Sequence, residues 1–264
     1  MDQEIDQLAQ RVQSARRAVI FTGAGISTEC GVPDFRTPGG LWDRHKPTPF
    51  KDFIASEATR LKAWRSYFEI RASFKDVAPG LSHHITASWV ERGNAALVVT
   101  QNIDDLHARS GVAREQIVEL HGNGTYAKCL SCGLRHELDW VWQVLERDNR
   151  PPVCRECGGL VKSATIAFGQ PMPAAALAQA AEATRNADLF VVIGSSLTVY
   201  PAASLPILAA ENGTALVIIN RESTPLDGLA SQVLNGEIAS ILGATERCLS
   251  NHPVRKINLN PAYR

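Results

Sequence analysis

The chain has 264 residues, 45% hydrophobic and 20% charged, which suits one large or two modest soluble domains. Its 27 Lys and Arg balance 27 Asp and Glu, so no overall field draws it to nucleic acid or to an anionic membrane. No apolar run reaches membrane-spanning length, and Met1-Asp2-Gln3-Glu4 lacks the basic and apolar regions of an export signal; a cytoplasmic protein is expected.

Ile5, Leu8, Ala9 and Val12 recur at helical spacing and predict an amphipathic helix over 4–16. Ala18-Val19-Ile20-Phe21 reads as a short buried strand running into Thr22-Gly23-Ala24-Gly25. Glycines directly after a strand let the backbone approach a pyrophosphate, and a following helix N-terminus favours its charge. An ordinary strand-to-helix turn is the competing reading. Thr28 stands where the dinucleotide fingerprint has its third glycine, and Gly39-Gly40-Leu41-Trp42-Asp43 is no strand end carrying a ribose-gripping acid. A hydride-transferring dehydrogenase is therefore disfavoured. In Gly31-Val32-Pro33-Asp34-Phe35-Arg36, Arg36 is suited to clamp a phosphate and Phe35 to cover a ring. A loop holding a satisfied Asp34–Arg36 pair is equally compatible with those six residues.

Residues 37–79 contain Trp42, Phe50, Phe53, Trp64, Tyr67 and Phe68 without a strand pattern and read as a helical insertion. Strand 96–99 leads into Thr100-Gln101-Asn102-Ile103-Asp104, and the short run 117–120 into His121-Gly122. Open α/β sheets bind ligands at such strand ends. An imidazole there, with an ordinary pKa of about 6.5, is a candidate general base. His83, His84 and His107 lack that setting and are expected in surface or capping roles.

Cys129/Cys132 and Cys154/Cys157 form two CxxC pairs with 21 residues (133–153) between them. That is the signature of a tetrahedral four-thiolate zinc site, and no further ligand stands nearby to suggest a catalytic metal. Two disulfides are the competing assignment, disfavoured without an export signal; Cys30 and Cys248 are left over. A helix over 173–186 and strands 189–193 and 216–219 complete the pattern, ending at Gly194-Ser195-Ser196 and Asn220. Continuous apolar strands alternating with helices predict an α/β fold, a doubly wound, Rossmann-like parallel sheet. Segments 1–36, 80–125 and 164–250 would form that domain. The insertion 37–79 and a zinc ribbon over 126–163 would form a smaller one, with 251–264 a C-terminal tail.

The ordered series Gly-Ala-Gly-Ile-Ser (23–27), Gly-Val-Pro-Asp-Phe-Arg (31–36), Thr-Gln-Asn-Ile-Asp (100–104), His121-Gly122 and the two CxxC pairs resembles the sirtuins, NAD-dependent protein lysine deacylases. Gly-Ser-Ser-Leu (194–197), Tyr200-Pro201-Ala202-Ala203 and Ile219-Asn220 extend the likeness over roughly residues 5–250. The resemblance implies NAD as co-substrate and one structural Zn²⁺. Nicotinamide is released, and the acyl group passes to ADP-ribose, leaving free lysine. It implies His121 as catalytic base and Asn102 as the residue ordering the ribose and a water. Ile103 and Asp104 would hold the carboxamide, with Gln101 and Ser27 near the ribose. Gly23, Ala24 and Gly25 would face the pyrophosphate, and Gly194, Ser195, Ser196 and Asn220 the phosphate and adenosine side. Asp34, Phe35 and Arg36 would close over the cofactor.

The same resemblance implies an acyl-lysine protein substrate bound as an extended strand, with Ile166, Phe168 and Tyr67 lining its tunnel. No nucleic-acid or membrane partner is implied, and a monomer is favoured. Two departures bear on specificity. Many members read Arg-Pro-x-Val-Val-x-Phe-Gly-Glu where this chain has Lys162 to Gln170, ending in an amide. Members that prefer succinyl or malonyl lysine carry a Tyr and an Arg three apart in the helical insertion; here Ile70 follows Tyr67, and Arg71 is one residue late. One residue on a helix is a rotation of about 100°, so uncharged acyl groups, acetyl first, are expected. Mono-ADP-ribosyltransfer and a non-catalytic NAD-sensing module are the alternatives; His121 argues against the first, and the intact series from Gln101 to His121 against the second.

Overall fold

The computed structural model describes residues 2–32, 45–72 and 76–251. Its centre is a six-stranded parallel sheet in the order β3-β2-β1-β7-β8-β9. The strands are β1 (Ala18–Thr22), β2 (Ala95–Thr100), β3 (Ile117–Glu119), β7 (Leu189–Ile193), β8 (Ala215–Asn220) and β9 (Gln232–Asn235). The chain builds outward from β1 in one direction and then, from β7, in the other. This is the doubly wound dinucleotide-fold order, and the reversal between β1 and β7 leaves a crevice beyond their C-terminal ends.

Both faces of the sheet are covered, which is why the strands read as unbroken apolar runs. Successive residues point to opposite faces. Ile20, Val98, Val191 and Val217 pack on one side with Ile5, Leu8 and Val12 of α1 (Asp2–Ser14), Ile85 and Trp89 of α4 (Leu81–Glu91), and Ile241 and Leu242 of α9 (Ile238–Asn251). Phe21, Val99, Phe190 and Ile218 pack on the other with Ala180 of α7 (Ala174–Asn186) and Leu205 and Ala209 of α8 (Ser204–Glu211). Glu246 ties α9 to α4 by accepting from the Trp89 indole (3.0 Å) and from both terminal nitrogens of Arg92 (2.5 and 2.9 Å).

A second, antiparallel sheet holds β5 (Arg135–Glu137), β4 (Gly122–Cys129) and β6 (Val161–Thr165) in that order. Its strands overrun the expected ribbon limits of 126 and 163 by a few residues at each end. Between β5 and β6 lies α6 (Leu138–Asp148), a helix the sequence reading did not anticipate, burying Leu138, Val141 and Leu145. The expected helical insertion supplies α2 (Phe50–Ala55) and α3 (Glu57–Ala72). Trp64 of α3 is fully buried in the ribbon's own core with Ala127, Cys129, Val141 and Val161, and its indole donates to the Val161 carbonyl at 3.2 Å. The two excursions from the main sheet thus share one core. The expected tail 251–264 lies, Asn251 apart, outside the described residues.

Candidate active site

The loops leaving β1, β2, β7 and β8 line one cavity of about 900 Å³ at the switch point. Its wall includes Gly23, Ala24 and Gly25, then Gln101, Asn102 and Ile103, then Gly194, Ser195 and Ser196, and Asn220. The glycines are required here, but chiefly by backbone packing. A Cβ on Gly23 or Gly25 would come within 2.7 Å of Gly194, and Gly194 itself has φ +66°. The Gly23 and Gly25 N–H groups already donate to the carbonyls of Ile193 (3.1 Å) and Gly194 (2.8 Å). Two loops about 170 residues apart in sequence interlock at main-chain contact. The α-helix expected after Gly25 is instead a seven-residue 3-10 helix, Ala24–Cys30.

Beneath the cavity floor, Ser27 satisfies three neighbours at once. Its hydroxyl donates to Asp104 Oδ2 (2.7 Å), accepts from Asn102 Nδ2 (3.1 Å), and lies 3.4 Å from His83 Nε2. Asn102 also donates to the Gly23 carbonyl at 3.1 Å, so its amide is fixed against the glycine turn. Asp104 further accepts from the Leu106 N–H at 3.0 Å. Burial raises its carboxyl above the ordinary carboxylate range, while the bonds from Leu106 and Ser27 oppose that rise. Ser27 is completely buried, and neither it nor Asp104 is among the residues lining the cavity. Ser27 links Asp104 to Asn102 through its hydroxyl.

His83 and His107 also depart from expectation. Both are buried, with rings 5.1 Å apart, and only His84 is exposed. His107 Nε2 meets the Thr22 hydroxyl at 2.9 Å. Desolvation pushes His83 down to about 4 and His107 to about 3, so both stand neutral. His83 does have a capping part: its Nδ1 lies 3.4 Å from the Gly80 N–H at the start of α4.

His121 sits on the cavity wall just past β3. Its Nδ1 is 2.9 Å from the Gln101 carbonyl. A carbonyl can only accept, so Nδ1 carries the proton and Nε2 is the basic nitrogen of the neutral ring. Gln101 in turn donates from Nε2 to Ser195 Oγ at 2.8 Å, linking the base to the β7 loop. Gly122 follows with φ +74°, and a Cβ there would strike the Ala164 carbonyl where β4 meets β6.

The cavity continues toward α3, where Trp64, Tyr67 and Ile70 line it, and toward Ile166 and Phe168 beyond β6. The Tyr67 hydroxyl donates to the Gly124 carbonyl, and burial pushes its phenol up to about 12. Arg71 turns away, with its guanidinium 4.0 Å from Asp139. Ile166 donates to the His121 carbonyl at 2.8 Å, so the base and this wall are joined through the backbone. Gln170 closes its own turn, accepting from the Ala167 N–H at 3.2 Å. Lys162, which sequence reasoning did not single out, also lines the cavity; it is 5% exposed, and burial lowers it to about 8. Its ammonium donates to the Ser163 and Thr165 carbonyls (3.2 and 2.5 Å). Asp34, Phe35 and Arg36 lie outside the described residues.

The four cysteines gather at one end of the ribbon, with Cys129 and Cys157 sulfurs 3.5 Å apart and Cys132 and Cys154 sulfurs 3.7 Å apart. All four are free thiols within 4.8 Å of one another. A disulfide needs about 2.05 Å, whereas a zinc–sulfur bond of about 2.3 Å sets tetrahedral edges of about 3.8 Å. The donor set fits a tetrathiolate zinc. The N–H groups of Cys132 and Ser131 point at Cys129 Sγ (3.5 and 3.4 Å) and favour its thiolate.

Comparison with known proteins agrees with this geometry. A model described as the Sir2 family matches residues 23–201. The chain is 48% identical over 239 residues to the NAD-dependent protein deacetylase of Rhodopseudomonas palustris, spanning 90% of this chain and 94% of that protein. A solved Sir2 variant with a deacetylated peptide and 3′-O-acetyl ADP ribose superposes at a TM-score of 0.83 with 32% identity, over 92% of this chain and 98% of that one. A Sir2 protein bound to a propionylated peptide superposes at 0.82 with 31% identity and the same coverage.

Proposed function

The chain belongs to the Sir2 (sirtuin) family, and we infer from that premise that it is an NAD-dependent protein lysine deacylase acting in the cytoplasm. The observation that carries the reading is the shared cavity: a basic imidazole, the loops of a dinucleotide-fold switch point and an apolar extension toward α3 all face one space. NAD, as co-substrate, supplies the ribose carbon from which nicotinamide leaves and the hydroxyls that receive the acyl group.

The chain's own residues do the rest. Gly23, Ala24, Gly25, Gly194, Ser195, Ser196 and Asn220 bind the dinucleotide along the strand ends, with Gln101 and Ile103 beside it. Asn102, held rigid by Ser27 and the Gly23 carbonyl, orders the ribose. Ile103 and Asp104 hold the nicotinamide carboxamide, and Ser27, near the ribose, supports Asn102. His121 Nε2 takes a proton from a ribose hydroxyl, while the Gln101 carbonyl fixes the tautomer. Asp34, Phe35 and Arg36 remain proposed as the cover that excludes water. The substrate backbone pairs as an added strand beside Ile166 and Phe168, a mode that demands little of its sequence.

Uncharged acyl groups are preferred. Ile70 gives an acyl carboxylate no cation, Arg71 lies near Asp139, and the Tyr67 hydroxyl already serves Gly124. Parallel kinetics on acetyl-lysine and succinyl-lysine peptides test this, with acetyl expected to turn over at least tenfold faster. Faster desuccinylation would overturn the acyl assignment.

A further inference from the structure

Glu29, Cys30 and His83 converge on one point at the rim of the crevice, and their carboxylate, thiol and imidazole ligand atoms lie within 4.8 Å of one another. We propose that these three side chains form a second metal site, separate from the four-cysteine ribbon, that takes a thiophilic divalent cation such as Zn²⁺.

The donor set is one soft sulfur, one borderline nitrogen and one hard oxygen, a combination suited to Zn²⁺ and unsuited to Mg²⁺ or Ca²⁺. Cys30 Sγ and His83 Nδ1 are 3.7 Å apart. Zinc–ligand bonds of about 2.0–2.3 Å set tetrahedral edges of about 3.3–3.8 Å, so this edge is already at coordination distance. The tautomer is also suitable. The Gly80 N–H lies 3.4 Å from Nδ1, and the Ser27 hydroxyl, which gives its proton to Asp104, faces Nε2. The proton therefore belongs on Nε2, and Nδ1 keeps a lone pair that now accepts from the Gly80 N–H and that a cation beside Cys30 would take over. A hydrogen bond fixing the far nitrogen of a ligating histidine is the usual outer-shell support.

The Gly80 N–H must give up Nδ1, and the carboxylate must adjust. Glu29 is exposed, and one oxygen accepts from the Ser82 N–H at 2.7 Å, which holds the carboxylate close to the cluster. Cys30 is half-buried, so a cation enters from solvent, and water completes the fourth position. Its thiol is raised above the ordinary range, by burial first and by Glu29 next, so binding must displace that proton. The site would fasten the 3-10 helix after β1 to the start of α4.

Metal content of the full-length, zinc-loaded protein equilibrated with excess Zn²⁺ tests this directly. Two zinc ions per chain are expected for the parent, and one for Cys30→Ala. Co²⁺ added to the zinc-loaded parent is expected to give a thiolate-to-cobalt charge-transfer band that Cys30→Ala abolishes; His83→Gln should also stop at one zinc. A parent that saturates at one zinc, or a second zinc that survives in Cys30→Ala, would overturn the proposal. Cys30→Ala replaces a half-buried side chain by a smaller one, so the test does not hinge on whether His83→Gln folds.

Discussion

Ser27 has one proton to donate and two lone pairs to fill, and the structure uses all three. Ser27→Ala strips Asp104, Asn102 and His83 of a partner together. Losing a buried partner costs about 1–3 kcal/mol, so the variant should unfold at lower denaturant and lose NAD affinity, measured by urea titration and calorimetry. Unchanged affinity would show that Asn102 does not depend on this support. For His121, removing a general base costs about 10²–10⁴-fold in rate. His121→Gln should lose turnover on that scale while still binding NAD; single-turnover kinetics and calorimetry separate the two effects. The buried imidazoles give a pH prediction of definite sign. Folded His83 and His107 titrate near 4 and 3, below the unfolded value near 6.5. Above 6.5 neither state is protonated and they add no pH dependence. Below it the unfolded chain gains protons that the folded one refuses. Stability therefore falls as pH drops from 6.5 toward 4, by about 2 kcal/mol for each imidazole between pH 7 and 5. Denaturation curves at those two pH values, recorded without Zn²⁺ beyond that held by the four cysteines, check it; equal stability would contradict the buried neutral pair. His121 and the cysteines were legible in the sequence because strand-end and CxxC contexts are local. His83 and Lys162 were misplaced or missed because their surroundings are set by neighbours far along the chain.

At the scale of elements, the ribbon and α3 form one unit around Trp64, with four cysteines placed to hold zinc at one end. Trp64 is 2% exposed among Cys129, Val141 and Val161. Trp64→Ala should cost about 3–5 kcal/mol, a loss read by thermal or chemical denaturation. Cys129→Ala or a strong chelator should lower stability and activity together, because metal binding contributes directly to folding; a folded, metal-free and fully active protein would refute that. Helix α6 escaped the sequence reading although Leu138, Val141 and Leu145 have helical spacing. Trp140, Trp142 and Val144 put apolar residues on its other faces too, which blurs the period. Strand β9 was missed for the opposite reason: Gln232-Val233-Leu234-Asn235 is short and polar at both ends, typical of an edge.

At the scale of the whole molecule, the strand set predicted a parallel sheet, but not which strands lie side by side. The order with β1 and β7 adjacent creates the crevice, and it follows from 3-D packing that no single window of sequence records. The Gly23–Gly194 interlock has the same origin. Residues far apart in the chain reach one cavity through that order, and together they transfer an acyl group from lysine to ADP-ribose. The direct test is mass spectrometry of an acetyl-lysine peptide incubated with the protein, with and without NAD. NAD-dependent conversion to free lysine with equimolar nicotinamide and O-acetyl-ADP-ribose is the predicted result. Nicotinamide release with ADP-ribose attached to protein and the acetyl group still in place would contradict it.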